Sequence, residues 1–158
     1  MDRVSTLFLK VTILLIGLAV LALCIFGVPW FARESTDRFP AYSLYSVLAA
    51  IYAAAIPFFI ALYQAFKLLT YIDKNEAFSD LSVSALKYIK YCAVVISLLY
   101  VAVMPFLYIM ADTDDAPGMI VIGMVVIFAS AVIAVFAAVL QKLLKNAIDI
   151  KSENDLTV

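Results

Sequence analysis

The stretch YCAVVISLLYVAVMPFLYIMADTDDAPGMIVIGMVVIFASAVIAVFAAVLQ, residues 91–141, decides the fold of this protein. It contains two runs without a charged residue, 91–111 and 116–141. Each run is long enough to cross a hydrocarbon core of about 30 Å, which takes about 20 helical residues. Only the segment Asp112–Asp115 separates the runs, so the two helices must be neighbours and antiparallel.

Two further charge-free runs lie upstream, at about 11–32 and 41–66. Of the 158 residues, 66% are apolar and 15% are charged, whereas soluble domains have about 45–50% and about 25%. The sequence therefore predicts an all-α integral membrane protein. We expect a single four-span domain over residues 1–158, folded as an up-down-up-down four-helix bundle.

The distribution of Lys and Arg predicts the orientation, because positively charged loops stay in the cytoplasm. The two termini and the loop 67–90 carry nine of these residues: Arg3, Lys10, Lys67, Lys74, Lys87, Lys90, Lys142, Lys145 and Lys151. The opposite side carries only Arg33 and Arg38. Both termini, the loop 67–90 and the tail 142–158 should be cytoplasmic.

Reporter fusions test this orientation. We expect a fluorescent protein fused after Val158 to be bright, because it folds on the cytoplasmic side, and alkaline phosphatase fused there to be inactive. The control is a fusion at Asp114, which should give the opposite pair of results. An active phosphatase or a dark fluorescent reporter at Val158 would overturn the predicted topology.

The residues that catalysis and metal binding most often require are scarce in this sequence. The chain has no histidine and two cysteines, and we predict no catalytic site, no metal site and no cofactor, hence no enzyme. A net charge of −1 excludes a strongly basic surface and with it direct nucleic-acid binding. A small transporter or channel subunit acting as a homo-oligomer stays open, although the spans lack the Asp, Glu, Lys or Arg that usually marks an ion path.

Polar and small residues within the spans suggest helix packing. Serines such as Ser97 and Ser130, and the tyrosines, can hydrogen-bond to neighbouring helices. Small residues recur every four positions at Ala49/Ala53, Ala50/Ala54 and Ser130/Ala134/Ala138. Such residues permit close helix approach, or they simply fill an apolar helix. Cys24 and Cys92 are expected to be free thiols, because their heights in the membrane differ.

The polar segments outside the spans also carry a pattern. Helical spacing from Phe78 to Ile89 predicts that the third helix begins in the cytoplasm, with Ser79 as N-cap. Lys87 and Lys90 on this helix, together with Trp30 near the other face, are expected at the membrane interface. The apolar face of the fourth helix continues to Ile150.

The last residues, SENDLTV, predict a turn and a short β-prone end. Such an end could add as a strand to a partner, fold back onto residues 68–90, or fray.

Two stretches carry a resemblance to a known family: YIDKNEAFSDLSVSALKYIKY, residues 71–91, and AIDIKSENDLTV, residues 147–158. They resemble the signature stretches of a bacterial membrane family catalogued as domain of unknown function 2975, whose four-helix layout is similar. Asn75 and Ala77 depart mildly from its pattern. The resemblance implies a gene beside a small helix-turn-helix regulator, and hence a membrane protein that binds such a cytoplasmic partner. The residues predicted to bind it are Phe78, Ser79, Glu153, Asn154, Asp155, Leu156 and Thr157.

Overall fold

A computed structural model describes residues 3–157 of the chain, and nearly all of them are helical. The first span consists of α1 (Arg3–Ala22), a π-helical segment (Leu23–Gly27) and α2 (Val28–Ser35). The other three are α3 (Ala41–Asp73), α4 (Asp80–Thr113) and α5 (Gly118–Thr157). All four spans are long and apolar enough to cross a membrane.

Neighbouring helices run antiparallel along the whole bundle. The Nζ of Lys10 near the start of α1 lies 5.2 Å from the centre of the Phe66 ring near the end of α3. The Nζ of Lys90 in α4 donates to Oε1 of Gln141 in α5 over 3.2 Å. The main packing partners are α3 with α4 and α4 with α5, while α1 packs less extensively against α3. The predicted all-α, up-down-up-down four-helix bundle is confirmed.

Small residues form the packing faces between the helices. Ala54 of α3 and Ser130 and Ala134 of α5 are buried, whereas Ala49 and Ala53 are exposed. Of the two alanine registers in α3, the one containing Ala54 therefore packs inward. The small residues of α5 are contact residues rather than simple filler, because α4 approaches closely along this face.

The best-packed part of the bundle lies at the end where α4 turns into α5. Its buried cluster consists of Phe39, Leu44, Val47, Val103 and Met110. Phe39 comes from the turn that joins α2 to α3, and its ring lies 6.5 Å from that of Phe31. This end therefore holds the first three spans together through apolar contacts.

The π-helical segment has a local cause in the sequence. The Val28 N–H bonds to the Leu23 carbonyl, five residues back, and Pro29 has no N–H to donate. The Cys24 carbonyl is consequently left without a backbone donor. The Tyr52 hydroxyl donates to this carbonyl over 2.8 Å, which confirms the predicted helix-to-helix role for a tyrosine and ties the first span to α3.

The helices α3 and α4 end in the same way. Asn75 (φ 61°) and Asp115 (φ 50°) adopt the left-handed conformation, and the next N–H returns to a helix carbonyl, Glu76 to Tyr71 and Ala116 to Ala111. This is a Schellman motif, in which Asn is accepted in place of Gly. The turn after α4 is thus shaped by Asp115.

The end of the chain differs from its prediction. Residues 152–157 continue α5 as one helix, so the predicted turn, β-prone end and fold-back onto residues 68–90 are wrong. The physical reason is that extending an existing helix needs no new nucleus, so the weak helix preferences of Asn154 and Asp155 do not stop it.

Candidate functional site

The predicted partner-binding residues all lie at one end of the bundle, which we call the loop end: the loop 74–79 and residues 150–157 of α5. The Lys90–Gln141 hydrogen bond sets the register of α4 against α5. Moving ten residues along each antiparallel helix brings Asp80 level with about Lys151, because both helices rise by about 1.5 Å per residue. The tail beyond Lys151 therefore extends past the start of α4 by about 9 Å.

The loop 74–79 is held in a defined conformation. The Ser79 hydroxyl donates to the Glu76 carbonyl over 2.6 Å, and the Ser82 hydroxyl donates to the same carbonyl over 3.3 Å. Ser79 occupies the N-cap position of α4, as predicted, but it makes no side-chain cap hydrogen bond. Phe78 beside it is 58% exposed. The loop thus presents the Phe78 ring on a fixed backbone. The Ser79 hydroxyl stabilises the loop through its hydrogen bond to the Glu76 carbonyl.

The tail presents its side chains to solvent. Residues 151–156, including Glu153, Asn154 and Asp155, are all exposed. Leu156 is 84% exposed, and Ile150 one and a half turns earlier is 66% exposed. Thr157 ends the helix, and its side chain lies outside the described residues. The tail is therefore a projecting helix that carries apolar and acidic groups together.

The predicted interface residues divide into two kinds. Trp30 in α2 and Lys87 in α4 are exposed, and their position at the lipid headgroups stays a prediction. Lys90 is half-buried, and its ammonium group contacts Gln141 and lies 4.8 Å from the centre of the Tyr91 ring. Lys90 therefore joins α4 to α5, a role that sequence reasoning did not find.

A cavity of about 720 Å³ lies in the middle of the bundle. All four spans contribute to its wall, with Cys24 from the first span, Ile51 and Ala65 from α3, Tyr100 from α4 and Ser130 from α5. Most of the other wall residues are Ala, Val, Ile, Leu or Phe. Cys24 is a half-buried free thiol, and Cys92 is a buried one. The volume lies in the range of about 300–1,000 Å³ that is usual for small-molecule sites.

Sequence reasoning missed this cavity, although it had one usable signal for the Tyr52–Cys24 hydrogen bond. Pro29 near the end of an apolar run implies an orphan carbonyl one turn earlier, and Tyr52 is a donor on the next span. The pattern does not reveal the space beside them. Within residues 3–157, no three His, Cys, Asp or Glu side chains group closely enough to hold a metal ion.

Comparison with known proteins places the chain among membrane proteins. A family model described as "Protein of unknown function (DUF2975)" matches residues 30–158. The chain is 68% identical over 160 residues to the "Uncharacterized membrane protein YoaS" of Bacillus subtilis (strain 168), with 100% of both chains covered. No solved structure matches.

These matches confirm the resemblance carried by residues 71–91 and 147–158. They agree with the exposed apolar surface of the spans, for example at Phe26 (73%) and Phe136 (64%), which suits contact with lipid. The chain is a multi-pass protein of a bacterial cytoplasmic membrane.

Proposed function

Since this chain belongs to the DUF2975 family, we propose that it is a regulatory membrane protein whose loop end binds a cytoplasmic partner. The favoured partner is a small helix-turn-helix regulator. One observation carries the proposal: α5 continues past the start of α4 as an exposed helix that ends in Leu156. This helix end offers a partner an exposed apolar side chain, Leu156, on an ordered backbone.

The chemistry of the tail suits a helical docking element. A helix can bind by laying an apolar anchor into a partner's groove, and the exposed Leu156 provides such an anchor. From Asp149 onward the tail carries three carboxylates, Asp149, Glu153 and Asp155, against a single Lys151. DNA-binding proteins present basic surfaces, so the acidic groups would attract such a partner and orient the helix on it.

Removing the tail tests the proposal. We expect a protein truncated after Lys151 to insert and fold normally, because all four spans remain, but to lose binding to a purified small helix-turn-helix regulator, the partner that the family resemblance implies. Leu156→Ala and Asp155→Ala should each weaken binding about tenfold, as the loss of one interface anchor usually does. The measurement is biolayer interferometry with the chain in lipid nanodiscs.

Asp112→Ala is the matched control for the acidic substitution, because Asp112 is exposed at the opposite end of the bundle. It should leave the affinity unchanged. Regulator binding that is equally strong to the truncated and full-length proteins would refute a docking role for the tail.

The alternative, a transporter or channel subunit acting as a homo-oligomer, makes a different prediction. The cavity wall contains no Asp, Glu, Lys or Arg among its described residues, so we expect no substrate-dependent proton flux in liposomes. Gln64→Ala is the informative variant, because Gln64 is a polar residue within α3, the second span. Robust flux that this substitution abolishes would put transport ahead of partner binding.

A further inference from the structure

The cavity in the middle of the bundle opens toward the lipid. Both the first span and α5 line it, yet these two helices do not form a main packing contact among the described residues. The gap between them leads from the hydrocarbon region into the cavity. Along α3 the wall runs from Ile51 to Ala65, about 21 Å at 1.5 Å per residue. The space is therefore long, and the gap between the first span and α5 connects it with the membrane.

Ser130 differs from most hydroxyl groups of the spans, although the buried Ser43 of α3 is comparable within the described residues. Serine and threonine in membrane helices usually donate to the carbonyl four residues earlier. Ser46 does so to Tyr42 and Thr113 does so to Ile109. Ser130 is 8% exposed and lines the cavity, but it has no hydrogen-bond partner among the described residues. Because Ser130 borders the cavity and its hydroxyl is not used within the described part of the protein, the cavity presents an unused donor.

Tyr100 places a second hydroxyl on the cavity wall at the same height. Ten residues from the Lys90–Gln141 pair along the antiparallel helices, Tyr100 lies level with about residue 131, next to Ser130. Tyr100 is half-buried and lines the cavity, and it too has no hydrogen-bond partner within the described part of the chain. The two donors therefore face one space from adjacent helices.

The depth of the Tyr100 and Ser130 hydroxyls in the membrane limits the kinds of molecule that can bind in the cavity. Tyr100 lies at the centre of the charge-free run 91–111, and Ser130 near the centre of 116–141, so both are near the bilayer midplane. A phospholipid keeps its ester groups at the membrane surface and would bring only methyl ends to this height. Both hydroxyls would then stay unpaired. An uncharged molecule with carbonyl oxygens and an apolar chain satisfies them.

We propose that the cavity binds the head group of an isoprenoid quinone, with Tyr100 and Ser130 both donating to one of its carbonyl oxygens and the chain lying along α3. The wall offers apolar surface for the ring and the prenyl units, and two donors for the two lone pairs of that oxygen. No redox step is involved, and the site is independent of the proposed docking role of the tail. The fraction of protein with a bound quinone would then follow the quinone content of the membrane.

Quinone binding can be measured with the protein's own fluorophore. Trp30 is the single tryptophan of the chain, and quinones quench indole emission. The full chain in dioleoylphosphatidylcholine nanodiscs should show saturable quenching by menaquinone-4, with about one molecule retained per chain after gel filtration. Because phospholipid is present in large excess, saturation also excludes it as the preferred occupant.

Variants and a competitor distinguish the contribution of the quinone head group to binding from that of the prenyl chain. Ser130→Ala and Tyr100→Phe should each weaken binding about fivefold, the loss expected for one hydrogen bond, and together about 25-fold. Ala55→Phe should abolish binding by filling the cavity, whereas Ala53→Phe, on the exposed face of the same helix, should not. Squalene, a prenyl chain without oxygen, should compete at least about tenfold more weakly than the quinone.

Three results would overturn the proposal. The first is non-saturable quenching that is identical in all variants, which would mean that the quinone stays dissolved in the lipid. The second is unchanged affinity in the Ser130→Ala, Tyr100→Phe double variant. The third is competition by squalene as strong as that by menaquinone-4, which would assign the cavity to an apolar chain alone.

Discussion

Replacing Gly123 by leucine is expected to lower the free energy of unfolding by about 3 kcal/mol, the upper part of the usual range for overpacking a core. A Cβ at Gly123 would lie 2.8 Å from the Met104 sulfur and 3.0 Å from Cδ1 of Leu107. These atoms belong to α4, so a leucine at this position of α5 must push the two helices apart. Since α4 and α5 form one of the two largest packings of the bundle, the substitution acts on a main element of the fold.

Gly118 provides the matched control on the same helix. A Cβ there has no atom within 4 Å, so Gly118→Leu should change stability by less than about 0.5 kcal/mol. Gly123→Ala should lie between the two, because the side chains of Met104 and Leu107 can shift by a few tenths of an ångström. Titration with sodium dodecyl sulfate in mixed micelles measures all three, and equal stability of the two leucine variants would contradict the described packing of α4 on α5.

Replacing Tyr52 by phenylalanine is expected to destabilise the bundle by about 1–2 kcal/mol, which is large for a single hydrogen bond within a membrane protein. The substitution removes the donor to the Cys24 carbonyl. No backbone N–H can replace it, because the Val28 N–H bonds to Leu23 and Pro29 has none. Tyr45→Phe is the control, since Tyr45 lies on the same helix, is 60% exposed and bonds to no helix carbonyl within the described residues.

A second substitution makes this prediction specific. Pro29→Ala restores a backbone N–H next to the π-helical segment, so the Cys24 carbonyl gains an alternative donor. In that background Tyr52→Phe should lower stability by less than about 0.5 kcal/mol. A double-mutant cycle compares the two losses. Equal losses with and without Pro29 would show that Tyr52 stabilises the protein by some route other than the Cys24 carbonyl.

The four spans could be predicted from the sequence because the membrane imposes a simple rule. A chain that must satisfy its backbone within hydrocarbon has to be helical over about 20 residues, and runs such as 116–141 contain no charge to interrupt it. The short connection Asp112–Asp115 then fixed the pairing of α4 and α5. Composition alone could not give the orientation of packing faces, and only the structure distinguishes Ala54, which is buried, from Ala53, which is exposed.

The ends of the helices were harder to predict than their existence. Residues 152–157 contain Asn154 and Asp155, which favour turns in isolation, but local preference is weak compared with the propagation of a long helix. The predicted strand was wrong for this reason. The family resemblance singled out Phe78 and the tail, and the Lys and Arg count placed both segments on one side of the membrane.

The central cavity could not be predicted, because it depends on which helices do not contact each other. Tyr100 and Ser130 are ordinary residues within their own helices, and the space between them depends on how far α1 stands from α5. Periodicity describes one helix at a time. A distance between the first and the last span of a bundle has no counterpart in the sequence.

The length of α5 has a mechanical consequence. Its 40 residues extend over about 60 Å, twice the thickness of the hydrocarbon core. Residues 142–157 thus form a rigid arm of about 24 Å outside the membrane. A change in tilt of about 10°, small beside the range of about 0–40° found for membrane helices, displaces the end of that arm sideways by about 4 Å. The helix that lines the cavity at Ser130 is therefore also a lever, whose slight rotation within the membrane becomes a movement of Leu156 by about the width of a side chain.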